Sequence, residues 1–250
     1  MTQKLMFHIV TYHGKDGKSR PGYLSIDPLV IADQLTAIQK LGGSGAVALT
    51  YGPYVSMFMH QASMEICRQC SERRMLFALC YDPWTVKNTP DVNAAMDKVL
   101  QNPDTQTMLN SRAYIPERAV LDFSTGVDPT KLKTQGVGYW MKHIQFSWPE
   151  ITNTLETLAK DNSNPQMKMP GVFTRFFDGD PTNYNNSVWG GPVRVIDSEG
   201  GDMLAKSILS ADTAVNAPYR QYVTWNDYAE GTEIEPFTAA MLEGGFGGGV

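Results

Sequence analysis

The chain has 250 residues, 42% of them hydrophobic, and carries a formal net charge of −5. That length and apolar content suffice for one domain with a full core, since no composition shift divides the chain. The acidic balance and the absence of any Lys/Arg cluster exclude a nucleic-acid partner, which would require a basic face to neutralise phosphates.

No apolar run approaches the roughly 20 residues a membrane span needs. The N-terminus, MTQKLMFHIVTYHG, lacks the basic segment, apolar stretch and small-residue cleavage site of an export signal. The expected location is therefore cytoplasmic, or delivery as part of a particle such as a virion. Cys67, Cys70 and Cys80 cannot all pair internally. The Cys67/Cys70 spacing falls in a helical pattern with no second pair to complete a zinc site, so structural thiols are expected.

Short apolar runs followed by turn residues recur along the chain at the spacing of a strand-plus-helix unit. The first is Leu5 to Tyr12, followed by a polar loop and a helix from about Asp27 to Leu41. Asp27 and Pro28 form an N-cap and first-turn pair, and Gly42-Gly43 a stop. The second strand is Ala46 to Tyr51, with a helix over Ser56 to Arg73. The third is Met75 to Tyr81, ending in Asp82-Pro83-Trp84. Helical stretches then follow at Asp91 to Leu100 and Asp104 to Leu109. The fourth is Ala119 to Phe123, with Asp122 near its end.

The second half is less regular. Strand five is expected at Met141 to Phe146, ending near Trp148 and Glu150, before a helix over Ile151 to Lys160. Strand six is Gly171 to Phe176, opening onto a polar loop from Asp178 to Gly191. Pro192 to Ile196 is either strand seven or part of a loop. Strand eight is Arg220 to Trp225. Eight such units predict an α/β fold, a single (β/α)8 TIM-type barrel over 1–242, with irregular loops around strands 4 and 6–7. A Gly-rich tail over 243–250 follows. Such barrels carry their chemistry at the C-terminal ends of the strands.

Strand eight runs into TWNDYAEGTEIEP, where Asp227 and Glu230 stand three residues apart beside Trp225, Asn226 and Tyr228. Ionised groups in a concave site cost free energy unless paired or solvated, so two acids at a strand end point to catalysis. Glycoside hydrolysis uses such a pair, one carboxyl protonated as acid and the other ionised as base or nucleophile. Trp225, Asn226 and Tyr228 beside the acids, and Tyr12, His13, Tyr51, Asp82, Trp84, Asp122, Trp148 and Asp178 at the remaining strand ends, are the candidate sugar-binding residues. Each has a plainer reading. Asp82 is equally a cap for the turn before Pro83, Asp122 a buried structural acid, and the tryptophans packing residues. Glu233 and Glu235 are not first choices for chemistry, and His8 reads as a core histidine. The four histidines show no ligand spacing, so neither a metal nor any other cofactor is expected.

The same segment resembles the signature of the glycoside hydrolase family 71 and family 99 group. Trp225, Asn226, Asp227 and Tyr228 are similar to the family 71 form, and Glu230, Gly231, Thr232, Ile234, Glu235 and Pro236 to the family 99 form. Ala229 departs from the usual Gly. Tyr81-Asp82 and Lys168-Met169-Pro170 to Phe176 resemble shorter family 71 segments. The resemblance implies a hydrolase cleaving α-linked polysaccharide endo-wise, of α-1,3-glucan or α-mannan type. Family 71 implies inversion, with one of Asp227 and Glu230 as acid and the other as base. Family 99 implies retention, with Asp227 acting on the substrate's 2-hydroxyl and Glu230 as general acid. The shorter Asp at 227 leaves more room for water, which mildly favours inversion. The competing reading is a non-catalytic carbohydrate-binding or structural barrel in a virion or cell-surface assembly, since fold does not dictate function.

Overall fold

The computed structural model describes residues 3–14, 22–122, 125–134, 139–142, 169–177, 179–180, 183–187, 195–196, 200, 202–212, 217–227 and 233–235. The chain divides into two compact units that interleave in sequence. One comprises 1–9, 16–23 and 144–250, and the other 10–15 and 24–143.

In the first unit β1 (Lys4–Val10), β11 (Tyr219–Val223) and β6 (Gly171–Phe173) form a parallel run in the order β1-β11-β6. Lys4 pairs with Tyr219 and Phe7 with Tyr222, while Gln221 to Val223 pair with Gly171 to Phe173. Gln221 is buried and its side-chain amide donates to the Met169 carbonyl at 2.5 Å, tying β11 to the entry of β6. Helix α5 (Asp202–Asp212) packs on β6. Its buried Ser207 hydroxyl donates to the Phe173 carbonyl at 2.9 Å and accepts from the Phe173 amide at 3.2 Å.

The second unit holds the parallel run β2 (Gly45–Thr50), β3 (Leu76–Tyr81), β4 (Ala119–Asp122) and β5 (Tyr139–Lys142). Residues of β2 and β3 are buried at consecutive positions, as a parallel strand covered on both faces requires. At the start of β2 a Cβ on Gly45 would lie 2.4 Å from the Leu76 carbonyl oxygen, so only glycine allows the two strands to approach there.

Helix α1 (Pro28–Lys40) starts as expected, with the Asp27 carboxylate accepting from the Leu29 amide and Pro28 in the first turn. It buries Ile31, Gln34, Leu35 and Ile38 on one face. Helix α2 (Met57–Arg73) is capped by the Ser56 hydroxyl, accepting from the Met59 amide, and packs on β2 and β3. Cys67 and Cys70 both lie buried on it. Burial pushes the Cys67 thiol up to about 11 and the Cys70 thiol higher still, so both stay protonated and inert at neutral pH. Helices α3 (Val92–Leu100) and α4 (Pro103–Leu109) lie between β3 and β4. No described helix is long and apolar enough to cross a membrane.

The alternation of parallel strands and helices is the expected one, but two stretches depart from it. Strand six stops at Phe173, and β7 (Phe176–Phe177) instead pairs antiparallel with β10 (Val195–Ile196), the segment expected as strand seven. The polar loop after it contains a short antiparallel pair, β8 (Gly179–Asp180) with β9 (Asn183–Ser187). The polar Asn-rich β9 has no apolar face to bury in a parallel run. The helix expected over Ile151 to Lys160 and the Gly-rich tail over 243–250 lie outside the described residues.

Candidate active site

The end of β11 is built from side chains that hold one another. After Val223 a cis peptide leads into Thr224, Trp225, Asn226 and Asp227, all buried. The Trp225 amide donates to the His8 carbonyl on β1 at 2.5 Å, which carries strand pairing one step past the strand. The Trp225 carbonyl then accepts from the Ile234 amide at 2.9 Å and the Glu235 amide at 2.7 Å. The acidic loop is thereby folded back onto the strand that launches it.

Glu235 is the hub of this arrangement. Its Oε1 accepts from the Trp225 indole N–H at 3.2 Å, and its Oε2 accepts from the Tyr23 hydroxyl at 2.7 Å. The Tyr23 hydroxyl in turn accepts from the Asn226 side-chain amide at 3.1 Å. A buried carboxylate with both oxygens engaged is a sound anchor, because each partner satisfies a group that would be costly to bury alone. The Trp225 ring, fully buried, meets Phe7 edge-on with centroids 5.7 Å apart, and Phe7 stacks on Tyr222 at 4.9 Å. Trp225 therefore offers no face to solvent. Beside it, the Asp227 amide donates to the Thr224 hydroxyl at 3.0 Å, turning the chain at the acid itself.

Glu233 sits on the same returning loop and is ion-paired with Arg175, just past the end of β6. Its Oε2 is buried with no hydrogen-bond partner. Neither Tyr23 nor the roles of Glu233 and Glu235 were signalled by the sequence. Tyr23 and Glu235 are 212 residues apart, and no periodicity links them.

In the second unit the strand ends carry the remaining candidates. Tyr12 and His13 follow β1, with ring centroids 4.8 Å apart. His13 is buried, its amide donating to the Ser25 hydroxyl at 3.1 Å and its carbonyl accepting from the Ser25 amide at 2.8 Å. Tyr51, after β2, stacks on Trp84, after β3, at 6.4 Å. Asp82 takes the capping role weighed for it, accepting from the Trp84 amide at 2.9 Å at the start of the 3-10 turn Pro83–Val86. Asp122 is the last residue of β4 and pairs with Tyr81 and Lys142. Trp148, Asp178, Tyr228 and Glu230 lie outside the described residues. Among the described residues no three His, Cys, Asp or Glu side chains converge as metal ligands would.

The described residues form an α/β fold of parallel strands, with Tyr51, Asp82, Trp84, Asp122 and Asp227 at or after C-terminal strand ends. The chain is similar to the GH99 endo-alpha-mannosidase from Bacteroides thetaiotaomicron, with 13% identity and a TM-score of 0.66 over 95% of this chain and 89% of that one. A complex of that enzyme type with bis-tris-propane gives a TM-score of 0.68 at 12% identity, covering 95% and 88% of the two chains. A glycoside hydrolase-like protein gives 0.62 at 9% identity, over 94% and 87%. At these identities the likeness is one of fold, and it extends to the group rather than to family 71 in particular. No protein-family model and no curated protein matches the sequence.

Proposed function

We propose that the chain is a glycoside hydrolase acting endo-wise on an α-linked polysaccharide, in a (β/α)8-type barrel, with Asp227 and Glu230 as its carboxyl pair. The observation that carries this reading is the buried, cross-braced end of β11. Glu235 and Tyr23 brace Trp225 and Asn226, the two residues before Asp227, and the Thr224 hydroxyl accepts from the Asp227 amide, an arrangement a plain loop does not need. The fold shared with an endo-alpha-mannosidase over most of both chains supports the same conclusion.

In the mechanism, Glu230 donates its proton to the glycosidic oxygen as the bond to the anomeric carbon breaks. Asp227 takes a proton either from the attacking water, giving inversion in one displacement, or from the substrate's own 2-hydroxyl, whose oxygen displaces the leaving group to form a 1,2-anhydro sugar; water deprotonated by Glu230 then opens that ring in a second displacement, Asp227 returning the proton to the 2-oxygen, for net retention. Trp225 enters as a positioning residue. Asn226, buried and bonded to Tyr23, joins Trp225 in that role, and Tyr12, His13, Tyr51, Asp82, Trp84, Asp122, Trp148, Asp178 and Tyr228 are assigned to the groove that receives the polymer.

The test is reducing-end release from a panel of α-glucans and α-mannans by the wild type, Asp227→Asn and Glu230→Gln, with the first anomer identified by NMR. Cleavage of one polymer by the wild type alone supports the reading. A polymer bound equally by all three proteins and cut by none would replace it with a binding module.

A further inference from the structure

The connections that follow β2, β3 and β4 line an open cavity of about 350 Å³ in the second unit. It is lined by Tyr54 from the first, Asp97, Lys98, Gln101 and Asn102 from the second, and Lys133 from the third. The Asp97 carboxylate and the Asn102 side-chain oxygen are already engaged. The Asp97 carboxylate accepts from the Lys133 amide at 2.9 Å, the Thr134 amide at 2.9 Å and the Thr134 hydroxyl at 2.6 Å, and the Asn102 carbonyl oxygen accepts from the Asp104 amide at 2.9 Å. These bonds, with the nearby Lys133 charge, outweigh burial and hold the Asp97 carboxyl below its usual range. The Gln101 amide nitrogen donates to the Thr134 hydroxyl at 3.5 Å, which leaves the two ammoniums as the charged groups placed to meet a ligand. Neither ammonium is in a salt bridge among the described residues.

The lysines here are also placed on aromatic rings. Lys98 Nζ lies 4.2 Å from the centroid of Tyr54, which is 52% exposed. A second pair stands nearby in sequence, with Lys87 Nζ 3.1 Å from the centroid of Trp84, 45% exposed and stacked on Tyr51. In a chain of net charge −5 this is a local reversal of sign, built beside half-exposed rings. Rings take the C–H face of a sugar and ammoniums take an anionic oxygen.

We infer that this cavity is a subsite for a sugar unit bearing an anionic substituent, a phosphate, sulfate or carboxylate, on the polymer the chain acts upon. The inference rests on the glycosidase reading, whose substrate class it narrows from α-linked polysaccharide to acidic α-linked polysaccharide.

The experiment measures binding of the full chain by affinity electrophoresis. The gels contain a phosphate-bearing α-mannan, the same mannan after removal of phosphate, or a mannan oxidised to carry uronate. The proteins are the wild type, the pair Lys98→Gln/Lys133→Gln, and Lys40→Gln, a lysine at the end of α1, as a charge control. The wild type should bind one of the two acidic polymers roughly tenfold or more tighter than the neutral one, the scale of a charge-assisted hydrogen bond. The paired variant should lose that preference and the control keep it. The acidic polymer preferred identifies the substituent. Equal binding of acidic and neutral mannan by the wild type would overturn the subsite and leave the glycosidase reading standing. An equal loss in the paired variant and the control would reduce it to general charge attraction. Binding of none of the three mannans would also overturn the subsite, while the glycosidase reading is decided separately by the cleavage panel of α-glucans and α-mannans.

Discussion

The end of β11 and the ends of β2 and β3 use aromatic and charged side chains in opposite ways. At β11, Trp225 is wholly buried and its indole N–H is spent on Glu235, while Asn226 is spent on Tyr23. At β2 and β3, Tyr54 and Trp84 stand about half exposed, each beneath a lysine. The first region gives up surface to gain fixed geometry. The second keeps its surface and gives up little. Chemistry needs reacting groups held to within a fraction of an ångström, whereas a polymer sliding along a groove needs faces and charges.

The comparison is broken most directly at the acid pair. If Asp227 is the group the β11 end exists to hold, Asp227→Asn and Glu230→Gln should each cost about 3 kcal/mol or more of transition-state stabilisation. Folding should be nearly unchanged, which kcat/KM and a denaturant titration on the same samples would establish. A variant that unfolds instead makes the acid structural.

Next in size is the indole. Trp225→Ala removes a fully buried side chain and should destabilise the fold by about 3–5 kcal/mol in chemical denaturation. Its counterpart in the other region, the Lys98→Gln/Lys133→Gln pair, should leave the same curve within about 0.5 kcal/mol. If the two cost alike, the contrast between the regions is false. Smaller again is the hub. Glu235→Gln keeps the shape but places an amide N–H donor against the Trp225 N–H or the Tyr23 O–H. A loss of about 1–3 kcal/mol is expected, with a fall in kcat larger than any rise in KM. An unchanged kcat would detach Glu235 from the positioning of Asp227.

The two regions also differ in how much of them could be read from the chain alone. Parallel strands ending in Tyr51, Asp82 and Trp84 were legible, because apolar runs with turn residues behind them mark strand ends whatever the tertiary fold. The caps at Asp27 and Asp82 were legible for the same local reason. The acids at β11 stood out through their neighbours in sequence. What supports them did not, since Tyr23 reaches Glu235 from the other end of the chain, and a glutamate in a Glu-Ile-Glu loop carries no local sign that it will be buried. The β7–β10 pairing was hidden for a similar reason: two-residue strands leave no period to detect.

His60 on α2 extends the contrast to acidity. It is completely buried, with Nε2 3.8 Å from the Asp104 carboxylate, and burial outweighs that carboxylate to lower its pKa below 6.5. The unfolded chain therefore binds a proton that the folded one refuses. Stability from this residue is present above about pH 6.5 and drains away as the pH falls from there toward the folded value. Unfolding in mild acid should be proton-consuming, and His60→Gln should flatten the fall in melting temperature between about pH 6.5 and 5. The second unit thereby carries an acid limit on where the protein stays folded, set by a buried imidazole rather than by a carboxylate.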